Sequence, residues 1–225
     1  LRDLDIREVS TMINVKRVDL TKVSGEIRFL VMKTLLTAKP IVVFRTHEKG
    51  KKIIVELCEI LDFPYREELE EEKGISLIEI KREMEVSDAI TDKVSVIANF
   101  SPSGIANRLT NPSILLSFIP EIRGIKDVSP SYYFFTVNWP NKITVPFVLH
   151  KIKGYGPKYI IRYLGYTKSL TRTFLLKIDF TVSKNSKGSK IEMTESYKGS
   201  FMFLADDKIK KHISLFKEKL HSILF

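Results

Sequence analysis

The sequence predicts an α+β protein in two parts: a two-layer βαβαβ sandwich, then a larger domain built on an antiparallel sheet of seven strands. Three observations lead there. The hydrophobic period switches between two and 3.6 through residues 13 to 82, six strand-like segments punctuated by turn residues follow Arg123, and the chain ends in a long amphipathic helix. With 225 residues, 44% of them hydrophobic, two cores are within reach. Charge divides near the same place. Residues 1 to 86 hold 16 Lys/Arg against 17 Asp/Glu, whereas residues 87 to 225 hold 21 against 10.

In the first part, Ile13 to Leu20 alternates as a strand, and Glu26 to Leu36 places Ile27, Leu30, Val31 and Leu35 at helical spacing. Pro40 to Phe44 is apolar along its length and reads as a central strand. Lys51 to Leu61 makes a second helix that stops at Phe63-Pro64. An acidic run from Glu67 to Glu72 separates it from a third strand, ISLIEIKR, opened by Gly74. Right-handed crossovers then put both helices on one face of the sheet. Cys58, the single cysteine, falls in the apolar phase of the second helix and reads as a core residue rather than a reactive thiol. One cysteine also excludes an internal disulfide framework.

VDL, a strand-to-helix turn, a helix rich in Leu, Val, Met and Lys, a hydrophobic strand and a second helix together resemble the small sulfur-carrier domains of the TusA/SirA family, over residues 13 to 82. That family's signature is a Cys-Pro pair at the start of the first helix. Gly25 and Glu26 take those places here, and neither can carry a persulfide. The resemblance therefore implies a scaffold without sulfur chemistry, acting as an interaction module for a protein partner or docking on the second domain. An anion pocket at that helix start, near Lys22 and Arg28, is opposed by Glu26, so an ordinary helix N-terminus is the preferred reading.

Residues 83–91 are polar, lack clear periodicity and read as a linker to a domain over 92–225. Val94, Val96, Ala98 and Phe100 share one side of a strand. Ser101-Pro102 starts a short helix with Ile105 and Leu109 on one face, Asn111-Pro112 breaks it, and SILLSFI makes a second, ending near Pro120. The six later strands are GIKDV, YYFFTVNW, KITVPFVLHKI, KYIIRYLG, RTFLLKIDFTVS and KIEMTESYKGSFMF. In the final helix Ile209, Ile213, Phe216, Leu220 and Ile223 recur at spacings of four and three, with Asp206 and Asp207 expected to cap its start.

One strand, two short helices, a six-strand meander and a long helix resemble the helix-grip fold of Bet v 1, START and polyketide-cyclase-like proteins (the SRPBCC group). The best local piece is KVSVIANFSPSGIANRLTNPSILLSFIPEIRGI. More narrowly, the chain resembles small archaeal helix-grip proteins proposed to carry fatty acids. The resemblance implies a curved sheet wrapped around the long helix, with a cavity between them. Alternation then nominates a ligand-binding lining: Tyr159, Ile161 and Tyr163; Phe174, Leu176, Ile178 and Phe180; Met193, Glu195 and Tyr197; and Phe216 of the helix. Such residues either fill a core or shape a pocket, and both readings stand at this point.

Glu195 on that apolar face has two readings: a polar anchor or general base with a raised pKa, or a rim salt bridge with Arg162 or Arg172 or the opposite strand phase. The second is preferred. His212 and His221 flank the final helix and are expected in solvent, while His150 alternates with the inward side of its strand. No catalytic constellation, metal spacing or cofactor motif is recognised.

The basic excess of the second part fits an anionic partner such as phospholipid headgroups, with Lys151, Lys153 and Lys158 as candidates, or a solubilising surface. Abundant Lys, Glu and Ile also fit a thermophile. No apolar run reaches spanning length and the N-terminal LRDLDIREV is charged, so a soluble cytoplasmic protein is expected. The functional expectation is a noncatalytic carrier of a hydrophobic ligand, a lipid or fatty acid. A cyclase- or hydrolase-like enzyme using Glu195 comes second, and a nucleic-acid or protein interaction module last.

Overall fold

Residues 15–36, 40–70, 74–81 and 88–224 are described in the computed structural model. The chain divides into two units, 1–87 and 88–225. The linker expected over 83–91 lies largely outside the described residues, as does Ile13 at the start of the first predicted strand.

Unit one runs β1 (Val15–Asp19), α1 (Ile27–Leu35), β2 (Ile41–His47), α2 (Glu48–Leu61), β3 (Tyr65–Glu70) and β4 (Ile75–Lys81). Its sheet has the order β1-β2-β4-β3, with β1 and β2 parallel and the remaining pairs antiparallel. The expected βαβαβ order therefore gains a strand, because the acidic YREELE is the edge strand β3. Its charges are matched within the sheet and by α2: Glu70 pairs with Arg45 of β2 at 2.9 Å, Arg66 with Glu79 of β4 at 3.0 Å, and Glu67 with Lys51 of α2 at 2.8 Å. A charged edge also discourages pairing with another chain. Cys58 is fully buried, and burial pushes its thiol up to about 12, so it stays a neutral core group. Glu26 stands just before α1 and its side chain makes no capping hydrogen bond.

Unit two runs β5 (Ile90–Ala98), α3 (Pro102–Leu109), a 3-10 turn at Pro112–Ile114, α4 (Leu115–Phe118) and then β6 (Ile122–Ser129), β7 (Tyr132–Asn138) and β8 (Lys142–Lys153). It continues with β9 (Tyr159–Lys168), β10 (Thr173–Asn185), β11 (Gly188–Gly199), a 3-10 turn at Met202–Leu204 and α5 (Ala205–Leu224). The seven strands form one sheet, β5-β11-β10-β9-β8-β7-β6, antiparallel throughout. This is the arrangement the helix-grip resemblance implies. The Ser-Pro start works as its chemistry dictates: Ser101 Oγ accepts from the Gly104 N–H at 3.2 Å, and Pro102 occupies the first helical position. The 3-10 turn before α5 takes the capping position, so Asp206 and Asp207 sit inside its first turn and complement the helix dipole instead.

One core joins the inner face of the sheet to α3, α4 and α5. Gly165 of β9 pairs in register with Phe147 of β8, and a Cβ at Gly165 would lie 2.2 Å from the Phe147 ring. Phe147 is itself fully buried and has nowhere to go. Gly165→Ala should therefore lower the stability of unit two by about 1–3 kcal/mol, measured by urea unfolding, and an unchanged midpoint would show that the strand pair can spread.

Candidate functional site

Strand alternation on β9, β10 and β11 brings the nominated residues onto one face. Ile178 stands between Tyr163 and Glu195, Phe180 between Ile161 and Met193, and Leu176 opposite Tyr197. Phe216 of α5 meets them: its ring lies 5.6 Å from Phe180 and 5.3 Å from Phe118, while Tyr163 sits edge-on to Phe180 at 6.4 Å. The Tyr163 hydroxyl donates to the Leu109 carbonyl at 2.7 Å, and that of Tyr197 to the Ser200 carbonyl at 2.5 Å. Tyr159 is half-buried at the rim, under the Lys151 ammonium.

These side chains do not line an open cavity. Ile161, Tyr163, Ile178, Phe180, Met193, Glu195 and Phe216 have no exposed surface, and Phe174, Leu176 and Tyr197 almost none. A side chain that no water can touch borders no water-sized space, so this set is packed core.

Within that core lies a polar cluster. His212 projects from α5 with Nδ1 2.7 Å from Glu195 Oε1 and Nε2 2.7 Å from Glu121 Oε2. Lys208, one turn earlier on α5, donates to the other Glu121 oxygen at 2.5 Å. His212 is 1% exposed and Glu195 wholly buried. Both earlier readings are thus corrected. His212 is not in solvent, and Glu195 is not at the rim: Arg162 pairs with Asp179 at 3.6 Å, and Arg172 donates to the Asn141 carbonyl.

Burial works against the charge on His212, but hydrogen bonds to two carboxylates outweigh it and raise its pKa to about 9. Burial likewise opposes the charge on Glu121, yet His212 and Lys208 hold it down at about 2. Glu195 is pushed above the ordinary carboxylate value by burial, against the pull of His212. The remaining oxygen of Glu195, Oε2, has no hydrogen-bond partner among the described residues. With both ring nitrogens facing carboxylates, His212 is an imidazolium that donates both N–H groups. The cluster ties α5 to β11 through Glu195, and to the start of β6 through Glu121. Its residues are of acid–base type, but His212 and Glu195 are sealed within the core, and only Glu121 and Lys208 at its edge keep side-chain surface in contact with water.

A real opening lies elsewhere, at the seam between the end of β5 and the last turns of α5. It has a volume of about 360 Å³ and is lined by Ile97, Ala98, Asn99 and Phe100 on one side and Leu220, His221 and Leu224 on the other. The nominated residues do not include it. The available signal was Ile97, an apolar side chain on the outward phase of its strand and 55% exposed. Among the described residues no group of three or more His, Cys, Asp or Glu is placed to hold a metal ion, and no helix is long and apolar enough to cross a membrane.

No family model and no curated protein sequence matches the chain. Solved structures similar to it include a START superfamily protein from Mycobacterium smegmatis, at 11% identity and a TM-score of 0.41 over 60% of this chain and 96% of that one. Another is protein MLL2253 from Mesorhizobium loti, at 15% identity and a TM-score of 0.43 over 60% of this chain and 96% of that one. The di-domain ARO/CYC StfQ of the steffimycin biosynthetic pathway shares 10% identity, with a TM-score of 0.39 over 72% of this chain and 66% of its own. No functional statement rests on similarities of this size. The architecture stands on the strand order and helix placement described above.

Proposed function

We propose that unit two is a noncatalytic binding protein for an apolar small molecule, held in the seam between β5 and α5, and that unit one is an interaction module. The observation that carries this reading is the cleft itself. Its volume of about 360 Å³ falls within the range of small-molecule sites, and five of its seven lining residues, Ile97, Ala98, Phe100, Leu220 and Leu224, are apolar. An acyl chain suits such walls, gaining about 0.8 kcal/mol per buried CH₂ before ordering costs. The lipid or fatty-acid ligand expected from the sequence is kept as a class, but its site moves from the packed inner face to the seam.

Burial weighs against the enzyme reading, since a catalytic carboxylate must touch its substrate and Glu195 touches only protein. Transient contact with an anionic membrane stays in the proposal through Lys153 and Lys158, both exposed; Lys151 is engaged with Asn107 at 2.6 Å. For unit one the absent Cys-Pro pair argues against sulfur transfer and leaves protein contact as its proposed role.

The test is native mass spectrometry of the purified chain together with titration of an apolar fluorophore such as 1-anilinonaphthalene-8-sulfonate, competed by dodecanoate. The wild type should bind and release the fluorophore to the competitor. Ile97→Glu, at an exposed position that spares the fold, should weaken binding about tenfold or more by placing a charge on the apolar wall. A wild type that binds neither probe, or an Ile97→Glu chain that binds both unchanged, would contradict the proposal.

A further inference from the structure

On the other face of the sheet, at the opposite edge, a second concavity of about 390 Å³ is lined by Arg123, Thr136, Asn138 and Lys142. Its construction follows from strand geometry. Val137 is buried on the inner face, so its neighbours Thr136 and Asn138 on β7 point outward. Lys142 of β8 stands opposite Asn138 in register. On β6 the pairing passes from Ile122 opposite Val137 to Gly124 opposite Thr136, which leaves Arg123 as the extra residue of a β-bulge. Bulges re-aim side chains, and Arg123 lines the same hollow as Thr136 and Asn138. Gly124 completes the hollow: a Cβ there would rest 3.8 Å from Thr136 Oγ1, so its absence leaves room beside that hydroxyl.

The chemistry of the lining is one-sided. All four side chains can donate hydrogen bonds, two carry full positive charge, and no carboxylate is among them. Neither Arg123 nor Lys142 has an ion pair or side-chain hydrogen bond among the described residues. Elsewhere in the unit, cations such as Lys208, Lys190 and Lys210 are paired with acids at 2.5–2.9 Å. A planar guanidinium, an ammonium, a hydroxyl and an amide converging on one hollow are the donor set for a tetrahedral oxyanion.

We propose that this hollow is a phosphate-binding site, taking the phosphate of a soluble monoester or of a lipid headgroup. Arg123 supplies the forked contact, Lys142 the point charge, and Thr136 and Asn138 the neutral donors. The basic excess of residues 87 to 225 adds a long-range attraction to the same ligand. The site does not depend on the apolar seam.

The test follows the backbone amides of the full ¹⁵N-labelled chain by NMR during titration with inorganic phosphate, at ionic strength held constant with chloride. Saturable shifts centred on Arg123, Gly124, Thr136, Asn138 and Lys142 are expected. The double variant Arg123→Gln/Lys142→Gln should weaken binding about tenfold or more, while Lys184→Gln/Lys187→Gln, which removes the same charge from the exposed β10–β11 hairpin, leaves it unchanged. Both pairs are exposed, so a wild-type spectrum away from the altered sites verifies the fold. Two further arms separate the sources: glycerol 3-phosphate for soluble monoesters and phosphatidate vesicles for lipid headgroups. Binding lost from either arm in Arg123→Gln/Lys142→Gln supports the site and identifies its source. Nonsaturable shifts, shifts reproduced by chloride, equal weakening in both double variants, or binding in neither arm would overturn it.

Discussion

Replacing His212 by alanine should destabilise unit two by about 3–5 kcal/mol at pH 7, the cost of breaking a buried ion pair by removing one partner. The imidazolium satisfies Glu121 and Glu195 together, both ties being 2.7 Å long and screened from water. Without it Glu121 keeps Lys208, but Glu195 retains no partner among the described residues. Glu195 then protonates, which caps the loss at several kcal/mol rather than the far larger cost of an isolated buried charge. Adding Glu195→Gln to His212→Ala should recover part of the stability, because the amide is neutral without the cost of taking up a proton at pH 7. Urea unfolding followed by circular dichroism reads both values. A loss below about 1 kcal/mol would mean that the cluster does not hold α5 to the sheet.

Raising the pH from 6.5 to 9 should cost unit two about 3 kcal/mol through the same histidine. In the unfolded chain His212 has its ordinary value of 6.5, and in the folded chain about 9. The folded state therefore keeps a proton that the unfolded state releases, so the stabilisation is complete below pH 6.5 and is lost as pH rises through 9. At about 1.36 kcal/mol per pH unit, that interval gives the stated loss. Glu195 adds in the same direction, since its pKa is raised by burial: its contribution is full below 4.5 and declines as pH rises through its folded value. Glu121 acts oppositely. Held at about 2, it stabilises above 4.5 and gives that up as pH falls toward 2. Melting curves of wild type and His212→Ala from pH 4 to 10 isolate the cluster from background titration. The gap between them should narrow by about 3 kcal/mol on the alkaline side, and a constant gap would contradict an imidazolium at this position.

Local physics made much of unit two legible. The Ser101-Pro102 start, the Asn111-Pro112 break and the alternation of β9, β10 and β11 are short-range signals, and the structure follows them. The strand β3 was hidden because YREELE lacks alternating apolar residues. Its stability comes from pairing with β4 and from ion pairs to Arg45 and Lys51, which lie 25 and 16 residues before their partners Glu70 and Glu67 in the chain. His212 carried a signal that was passed over. It lies three residues after Ile209 and four before Phe216, squarely in the apolar stripe, and a histidine so placed needs a buried partner. Its partners could not be read: Glu121 is 91 residues away, beyond any local pattern. Whether the inner face is a cavity or a core was equally beyond the sequence, because alternation reports which side chains face inward and not how well they fill the space. The seam of Ile97, Leu220 and Leu224 depends on where the last turns of α5 end against β5, a tertiary fact without sequence periodicity of its own.

The most direct test of ligand binding at the seam is methyl NMR of the full chain titrated with dodecanoate, with Ile, Leu and Met methyl groups labelled. The account predicts saturable shifts and intermolecular NOEs at Ile97, Leu220 and Leu224, with Ile161, Ile178 and Met193 unmoved. NOEs centred on Ile161, Ile178 and Met193 would return the site to the inner face under α5, and the absence of NOEs at any of the six would contradict apolar ligand binding by this unit.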